Sequence, residues 1–352
     1  MPGAERSTIE DVAHAAGVSV ATVSRALRGL PNVASSTRAR VEEAARDLNY
    51  RPDPNAARLA TGRRSRTVAV VVPFINSWYF ANVIAGAEAV CADGGYDLLV
   101  LTSPSPASRA DPVGGLLGGD RRVDGMIFVE VALESDDIDE LERLGVEVVT
   151  IGQRTDHFPA LSIDNVAIGR LAVEHLVALG HRRIGVIAGQ AEDPEHFDVP
   201  GQRIEGARRA LADAGQRLDD DLVTAGQFTI EGGYRAAQVL LARTDRPTAL
   251  FALSDEMALG ALLAARDLGL DVPADVSLVG VDDHEVAEVI GLTTVRQHVV
   301  EHGAIAARTL LRQLSGGRRS TLRRGAPISV DEAELVVRRS TQAPAAGAAA
   351  RS

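Results

Sequence analysis

The chain has 352 residues, of which 45% are hydrophobic and 24% charged, and a net charge of −11. These values fit a soluble globular protein of two or three domains. A single cysteine, Cys91, excludes a disulfide framework and a cysteine-rich metal site, and no cofactor is expected. No apolar run reaches the roughly 18 residues that would span a membrane. The polar stretch 1–7 leads into a helical pattern and not into a secretory signal, so the expected location is cytoplasmic.

The charge is unevenly spread. Residues 1–66 carry eleven arginines against seven acidic residues, so the acidic excess belongs to the rest of the chain. A basic head on an acidic body points to contact with a polyanion, with a chance fluctuation over so short a stretch as the alternative. Three helical patterns fit into this head. Ile9, Val12, Ala13 and Ala16 form an apolar stripe, and Thr8 with Asp11 resembles a capping box. Gly17 can turn the chain with positive φ, and Ser19 can cap a second helix with Val23 and Leu27 inward. Val41, Ala44, Ala45 and Leu48 make the third stripe. Three short helices with a glycine turn describe a helix-turn-helix unit over 8–51, behind a disordered tail at 1–7.

The second helix presents Val20, Ala21, Ser24 and Arg25 outward, with Arg28 at its far end. Small apolar side chains can lie against a thymine methyl, and an arginine can pair bidentately with guanine. Thr22, Ser24, Ser36, Thr37 and Arg38 can bond phosphates, which positions a protein without reading sequence. A plain three-helix packing module remains the other reading. Residues 52–66 follow as a hinge: Pro52 and Pro54 break the chain, 55–60 can form a short helix, and 62–66 is a basic linker. So short a helix needs support. Leu59 would then suit a wedge between base steps of a minor groove, or it packs on the body as part of a plain tether.

From residue 67 onward, apolar runs alternate with helical patterns. Strands are expected at 67–73, 96–102, 123–129 and 146–151, and in a second series at 183–188, 248–252 and 276–281. Such alternation indicates parallel α/β sheets in two lobes, with the first crossing where 161–165 leads into a helix. Ligands in such folds sit at the carboxyl ends of strands. The residues there include the aromatic cluster Trp78, Tyr79 and Phe80, which can stack on a sugar or serve as core. Asp255 reads as a helix cap and Asp283 as a turn or cap residue. His181 and His302 read as helix-end or surface residues, and the acidic run 134–142 as a solvated face. No Gly-x-Ser-x-Gly elbow, P-loop or metal-ligand spacing is present, so no enzyme is expected. The stretch 341–352 shows no apolar heptad and is expected to be a disordered tail without a coiled coil.

The run 8–29, with Thr8, Val12, Ala13, Gly17, Val18, Ser19, Thr22, Val23, Ser24, Arg25 and Leu27, is followed by Asn49, Tyr50, Arg51 and Pro52 and then by Asn55, Arg58 and Leu59. This pattern resembles the LacI/GalR family of bacterial transcription regulators, and the likeness extends to about residue 340. The resemblance implies an N-terminal all-α helix-turn-helix DNA-binding domain with a hinge helix. An α/β type I periplasmic-binding-protein-like sensor of two lobes would follow over 67–340. Chain crossings are implied near 164–165, 296 and 326, giving lobe 1 about 67–164 and 297–326 and lobe 2 about 165–296 and 327–340. It implies a DNA surface of Thr8, Ser19, Val20, Ala21, Thr22, Ser24, Arg25 and Arg28, with Asn55, Arg58 and Leu59 from the hinge. Val20, Ala21 and Arg25 would read the major groove and Leu59 would wedge a central base step. In the cleft, Arg203 and Asp282 match the family's ligand-clamping arginine and hydroxyl-accepting aspartate, and Phe228, Ser254 and Gln297 match cleft positions. Tyr79, Phe80 and Asp164 complete the expected ligand set; Asp164 and Asn165 start a helix at the crossing, with a capping role as the other reading.

The expected function is a sequence-specific transcription regulator, a repressor that binds double-stranded DNA at a pseudo-palindromic operator as a homodimer. A small ligand in the cleft would control its affinity allosterically, and the residue mixture suits a neutral polyhydroxylated compound such as a sugar. One departure is Ala34, where the family has serine before the third helix; either Ser35 takes over that cap or the helix starts less firmly, at a cost of about 1 kcal/mol.

Overall fold

A computed structural model describes residues 7–50, 65–103, 123–189, 199–316 and 325–345. The chain forms two compact units, one ending at Ser65 and the other starting at Arg66.

The first unit contains helices α1 (Ile9–Ala16), α2 (Val20–Leu27) and α3 (Ser35–Asp47). Thr8 and Asp11 form the reciprocal capping box: Thr8 donates from its backbone N–H to Asp11 at 2.7 Å, and Asp11 N–H donates to Thr8 Oγ1 at 3.3 Å. These bonds hold the Asp11 carboxyl below its ordinary pKa. Gly17 ends α1 with φ of +61°, and Ser19 caps α2 by accepting from Thr22 N–H at 3.2 Å. Val12, Val23 and Val41 meet in a core sealed from solvent. Ala34 is the N-cap of α3 and offers no side-chain acceptor, and Ser35 is already the first helical residue. The cap is therefore lost and not transferred. Arg38 is engaged in holding the fold, since its guanidinium donates to the Leu30 carbonyl at 2.8 Å.

The second unit has two six-stranded sheets. Its strands are β1 (Thr67–Val72), β2 (Asp97–Thr102), β3 (Gly125–Val129), β4 (Glu147–Ile151), β5 (Ala160–Leu161), β6 (Ile184–Ala188), β7 (Val223–Ala225), β8 (Ala249–Ala252), β9 (Ser277–Asp282), β10 (Thr293–Arg296), β11 (Pro327–Ile328) and β12 (Glu334–Val336). The first sheet runs β11-β5-β4-β3-β1-β2 and is parallel throughout. The second runs β12-β10-β9-β8-β6-β7, with only β12 antiparallel. Strands β3, β6, β8 and β9 are buried along their whole length, as parallel strands covered by helices on both faces must be.

The covering helices are α4 (Trp78–Asp93), α5 (Ser135–Leu144), α6 (Asn165–Ala178), α7 (Val199–Asp213), α8 (Ile230–Leu241), α9 (Asp255–Asp267), α10 (Glu285–Ile290) and α11 (Val299–Ser315). Helices α6 and α7 cross almost backbone to backbone. A Cβ on Gly169 would stand 1.9 Å from the Arg203 carbonyl oxygen, and one on Gly206 would stand 2.1 Å from that of Val166. No described helix is long and apolar enough to cross a membrane.

The chain passes between lobes after Leu161, after Arg296 and after Ile328. The last passage corrects the boundary expected at 326, because Pro327 and Ile328 pair with Ala160 and Leu161 in the first sheet. The chain reaches the second sheet only at Glu334. A second correction concerns the tail expected from residue 341. Thr341 Oγ1 bonds His175 Nε2 at 2.9 Å, and Gln342 N–H donates to Ser277 Oγ at 3.0 Å. Its anchors are polar, so the hydrophobic pattern does not reveal them; residues 346–352 lie outside the described set. His181 and His302 are buried and not at the surface. His181 bonds Thr248 Oγ1 through Nδ1 at 2.8 Å, and burial pulls the pKa of His302 down to about 4.

Candidate functional site

Two surfaces carry the residues singled out from the sequence. On the head, α2 turns Val23 and Ala26 inward and leaves Val20, Ala21 and Arg25 exposed, with Val20 40% accessible. Thr22 and Ser24 are half-buried, and the Thr22 and Ser19 hydroxyls bond each other at 2.9 Å. Arg28 folds back to donate to the Ser24 carbonyl at 3.0 Å. Thr8 and Ser19 lie at the two helix starts, so their side-chain oxygens are occupied by backbone donors. Asn55, Arg58 and Leu59 lie outside the described residues.

In the body, a cleft between the two lobes holds about 930 Å³ of free space, part of it open to solvent. Lobe 1 contributes Phe74, Ser77, Tyr79 and Phe80 after β1, and Glu130 after β3. Lobe 2 contributes Asn165 and Arg203 from α6 and α7, Phe228, Ser254, Glu256 and Asp282, with Gln297 at the passage after β10. Most of these follow the carboxyl ends of strands, where diverging loops leave an open floor.

Arg203 is only 5% exposed. Its Nε donates to Asn165 Oδ1 at 2.9 Å and its Nη1 to the Leu253 carbonyl at 2.5 Å. Burial lowers its pKa, against the pull of Asp282, Tyr79 and Glu130. Asp282 ends β9 with φ of +116°, a backbone conformation that L side chains rarely adopt, and accepts from Gln297 Nε2 at 2.5 Å. Burial raises its carboxyl to about 7, while Arg203 and the Gln297 bond pull the other way. Glu130 also reaches about 7 through burial, opposed by Arg203. Its carboxylate fits against Gly152, where an added Cβ would stand 2.3 Å from Oε2. Gln297 Oε1 and the Tyr79 hydroxyl are buried without a partner among the described residues. Such groups cost free energy unless something supplies their hydrogen bonds.

Of the expected ligand residues, Tyr79, Phe80, Arg203, Phe228, Ser254, Asp282 and Gln297 line this cleft together. Asp164 does not. Its exposed carboxylate caps α6 by accepting from Ala167 N–H at 2.8 Å, and the helix turns the next residue, Asn165, inward instead. Asp255 is not a cap: Ser254 caps α9, and buried Asp255 accepts from Thr294 Oγ1 at 2.7 Å and from His284 N–H at 2.9 Å. Asp283 is an ion-pair centre, bonded by Arg296 and Arg338 at 2.7 Å each. Trp78 neither lines the cleft nor joins the core as a sealed residue; its indole stacks on His284 with ring centroids 5.1 Å apart. Glu130 and Glu256 are cleft residues that no motif marks. Glu130 directly follows the apolar strand β3, so the strand-end rule applied to every strand would have found it.

Both units of the chain resemble known proteins. Residues 8–53 match the model for bacterial regulatory proteins of the lacI family, and residues 173–341 match a periplasmic binding protein-like domain. The HTH-type transcriptional repressor CytR of Escherichia coli (strain K12) is 36% identical over 341 residues, 96% of this chain and 97% of that protein. The solved complex of the transcriptional regulator CelR with cellobiose is 33% identical with a TM-score of 0.68, covering 95% of this chain and all of that one. The lac repressor dimer bound to operator and the anti-inducer ONPF is 29% identical with a TM-score of 0.69, covering 96% of this chain and all of that one.

Proposed function

We propose, since the chain belongs to the lacI family of bacterial regulatory proteins, that it represses transcription by binding an operator through α2 and that a sugar in the interlobe cleft controls that binding. The protein is a transcription regulator and not an enzyme. Val20 and Ala21 lie against thymine methyls, and Arg25 pairs with a guanine edge in the major groove. Residues 8–51 are the reading head, and 52–66 is a hinge whose Leu59 wedges a central base step. Two copies bind as a homodimer, because a pseudo-palindromic operator repeats its half-sites about a two-fold axis. The regulator acts in the cytoplasm, where its operator lies.

The observation that carries this reading is the cleft itself. The Arg203–Asn165 pair and the Asp282–Gln297 pair line one cleft, with buried acceptor groups still open. Hydroxyls of a sugar supply both donors and acceptors to such a set, and the aromatic rings of Phe80 and Phe228 can cover its apolar faces. Ligand closure of the lobes is then coupled to the hinge, and operator must weaken ligand binding by the same factor as ligand weakens operator binding. The test is an anisotropy titration of a labelled operator fragment with and without each member of a sugar panel. A sugar that shifts the operator curve supports the reading, and Leu59→Ala should weaken operator binding while leaving sugar affinity in place. An operator curve that no sugar moves would sink the effector assignment.

A further inference from the structure

The cleft holds more negative charge than a neutral ligand answers. Glu130, Glu256 and Asp282 line it, and Arg203 is the one cationic side chain among its described lining residues. The guanidinium is partly committed, since Nε and Nη1 serve Asn165 and the Leu253 carbonyl. No donor among the described residues is bonded to the Glu130 carboxylate, and Asp282 receives one bond, from Gln297. Gln297 Oε1 is a further buried acceptor with open capacity, and the buried Tyr79 hydroxyl can donate or accept. Glu256 is served by the Trp78 backbone and the Ser77 hydroxyl, so the open acceptors are those of Glu130, Asp282 and Gln297. Glu130 is also firmly seated. It stands at φ of +51° against Gly152, and a methyl group at that glycine would overlap its carboxylate.

We infer that the ligand of this cleft carries a protonated amine beside its hydroxyls, with Glu130 and Asp282 as its counter-charges: an amino sugar, on the sugar reading above. An ammonium brings three donors and no acceptor, which suits the open acceptors of the cleft. It neutralises carboxylates that burial otherwise penalises, and the faces of Tyr79, Phe80 and Phe228 attract a cation as they cover a ring. The same charge balance disfavours anions, since a phosphorylated sugar meets three acidic side chains and a single guanidinium. Burial raises both carboxyls to about 7 against the pull of Arg203, and an ammonium beside them would favour their charged forms.

The test is isothermal titration of the full-length protein with matched sets: glucosamine, N-acetylglucosamine, glucose and phosphorylated glucose, then the galactose counterparts, and spermidine as an amine without a sugar ring. In at least one set the amine is expected to bind about tenfold or more tightly than its acetylated and neutral partners, a loss typical of a charged hydrogen bond. Glu130→Gln should erase that preference. Neutral sugars binding as tightly as their amines would overturn the inference and leave the sugar reading standing. Spermidine binding that depends on Glu130, with every sugar silent, would overturn the sugar reading and keep the amine. Silence from all probes would overturn both. The matched sets discriminate on the wild-type protein alone, so the inference stays testable even where Glu130→Gln fails to fold.

Discussion

The indole N–H of Trp78 donates to Glu285 Oε2 at 2.5 Å and so joins residues 207 positions apart. Trp78 opens α4 in lobe 1, and Glu285 opens α10 in lobe 2. The same indole stacks on His284. Beside it, Glu256 accepts from the Trp78 backbone and the Ser77 hydroxyl, which is a second bridge between the lobes. The Trp78–Glu285 bond lies outside the cleft lining, whereas Ser77 and Glu256 belong to it, so the two bridges join the lobes at the cleft and beside it.

Trp78→Phe should keep the ring and remove the donor. The closed state then loses about 1 kcal/mol, and effector affinity falls about fivefold. Trp78 is the chain's only tryptophan, so its emission in the wild type should shift as ligand closes the lobes. Unchanged affinity in the variant would show that the indole N–H does not hold them together.

Arg203→Ala should abolish the effector response while operator binding survives. It also leaves Asn165 Oδ1 and the Leu253 carbonyl buried without their donor, a cost of about 1–3 kcal/mol that thermal denaturation should reveal. Arg203→Lys should not restore the response, because an ammonium cannot reproduce the planar fork.

Ala34→Ser should supply the missing cap of α3 and raise the stability of the head by about 1 kcal/mol. Denaturant unfolding followed by far-ultraviolet circular dichroism measures it. A gain of zero would mean that water already serves the free N–H groups of that first turn.

The ligand-free stability of Glu130→Gln relative to wild type should depend on pH. The folded Glu130 carboxyl titrates near 7 instead of the usual 4.5, so the native state keeps its proton longer than the unfolded chain does. Wild-type stability from this group is therefore lost as pH rises from about 4.5 to about 7. The variant carries no such penalty, and its melting temperature should gain on wild type between pH 5 and pH 8. Buried His181 and His302, held below their ordinary pKa, work in the opposite direction. They act equally in both proteins and cancel in the difference. A gap that stays flat with pH would place Glu130 in a solvated setting.

Much of this arrangement is legible in the sequence because local pattern carries it. The stripes of Val12, Val23 and Val41 and the apolar runs of β1, β3, β6, β8 and β9 each state their own burial. Arg203 and Asp282 can be placed because they follow recognisable patterns. Glu130 is a single carboxylate with no motif of its own, marked only by its place directly after the apolar run of β3, which lies between β4 and β1 in the sheet. The anchoring of Thr341 and Gln342 depends on hydroxyl and backbone hydrogen bonds, which leave no hydrophobic period. The third crossing is hidden because β11 is two residues long, too short to show any alternation. The Trp78–Glu285 bridge spans two lobes and belongs to no local pattern at all.

The close crossing of α6 and α7 has a consequence for how such a cleft can change its ligand. Gly169 abuts the main chain of Arg203, and the first residue of the same helix, Asn165, receives its guanidinium. One helix thus templates both the backbone and the side chain of the clamp. Even a single methyl at position 169 would push α7 aside and move Arg203 with it. The clamp has little freedom to be retuned, whereas cleft residues such as Phe80 and Phe228 hold no part of that crossing. New preferences can therefore be written beside a constant arginine, which makes the cleft a fixed grip with exchangeable jaws.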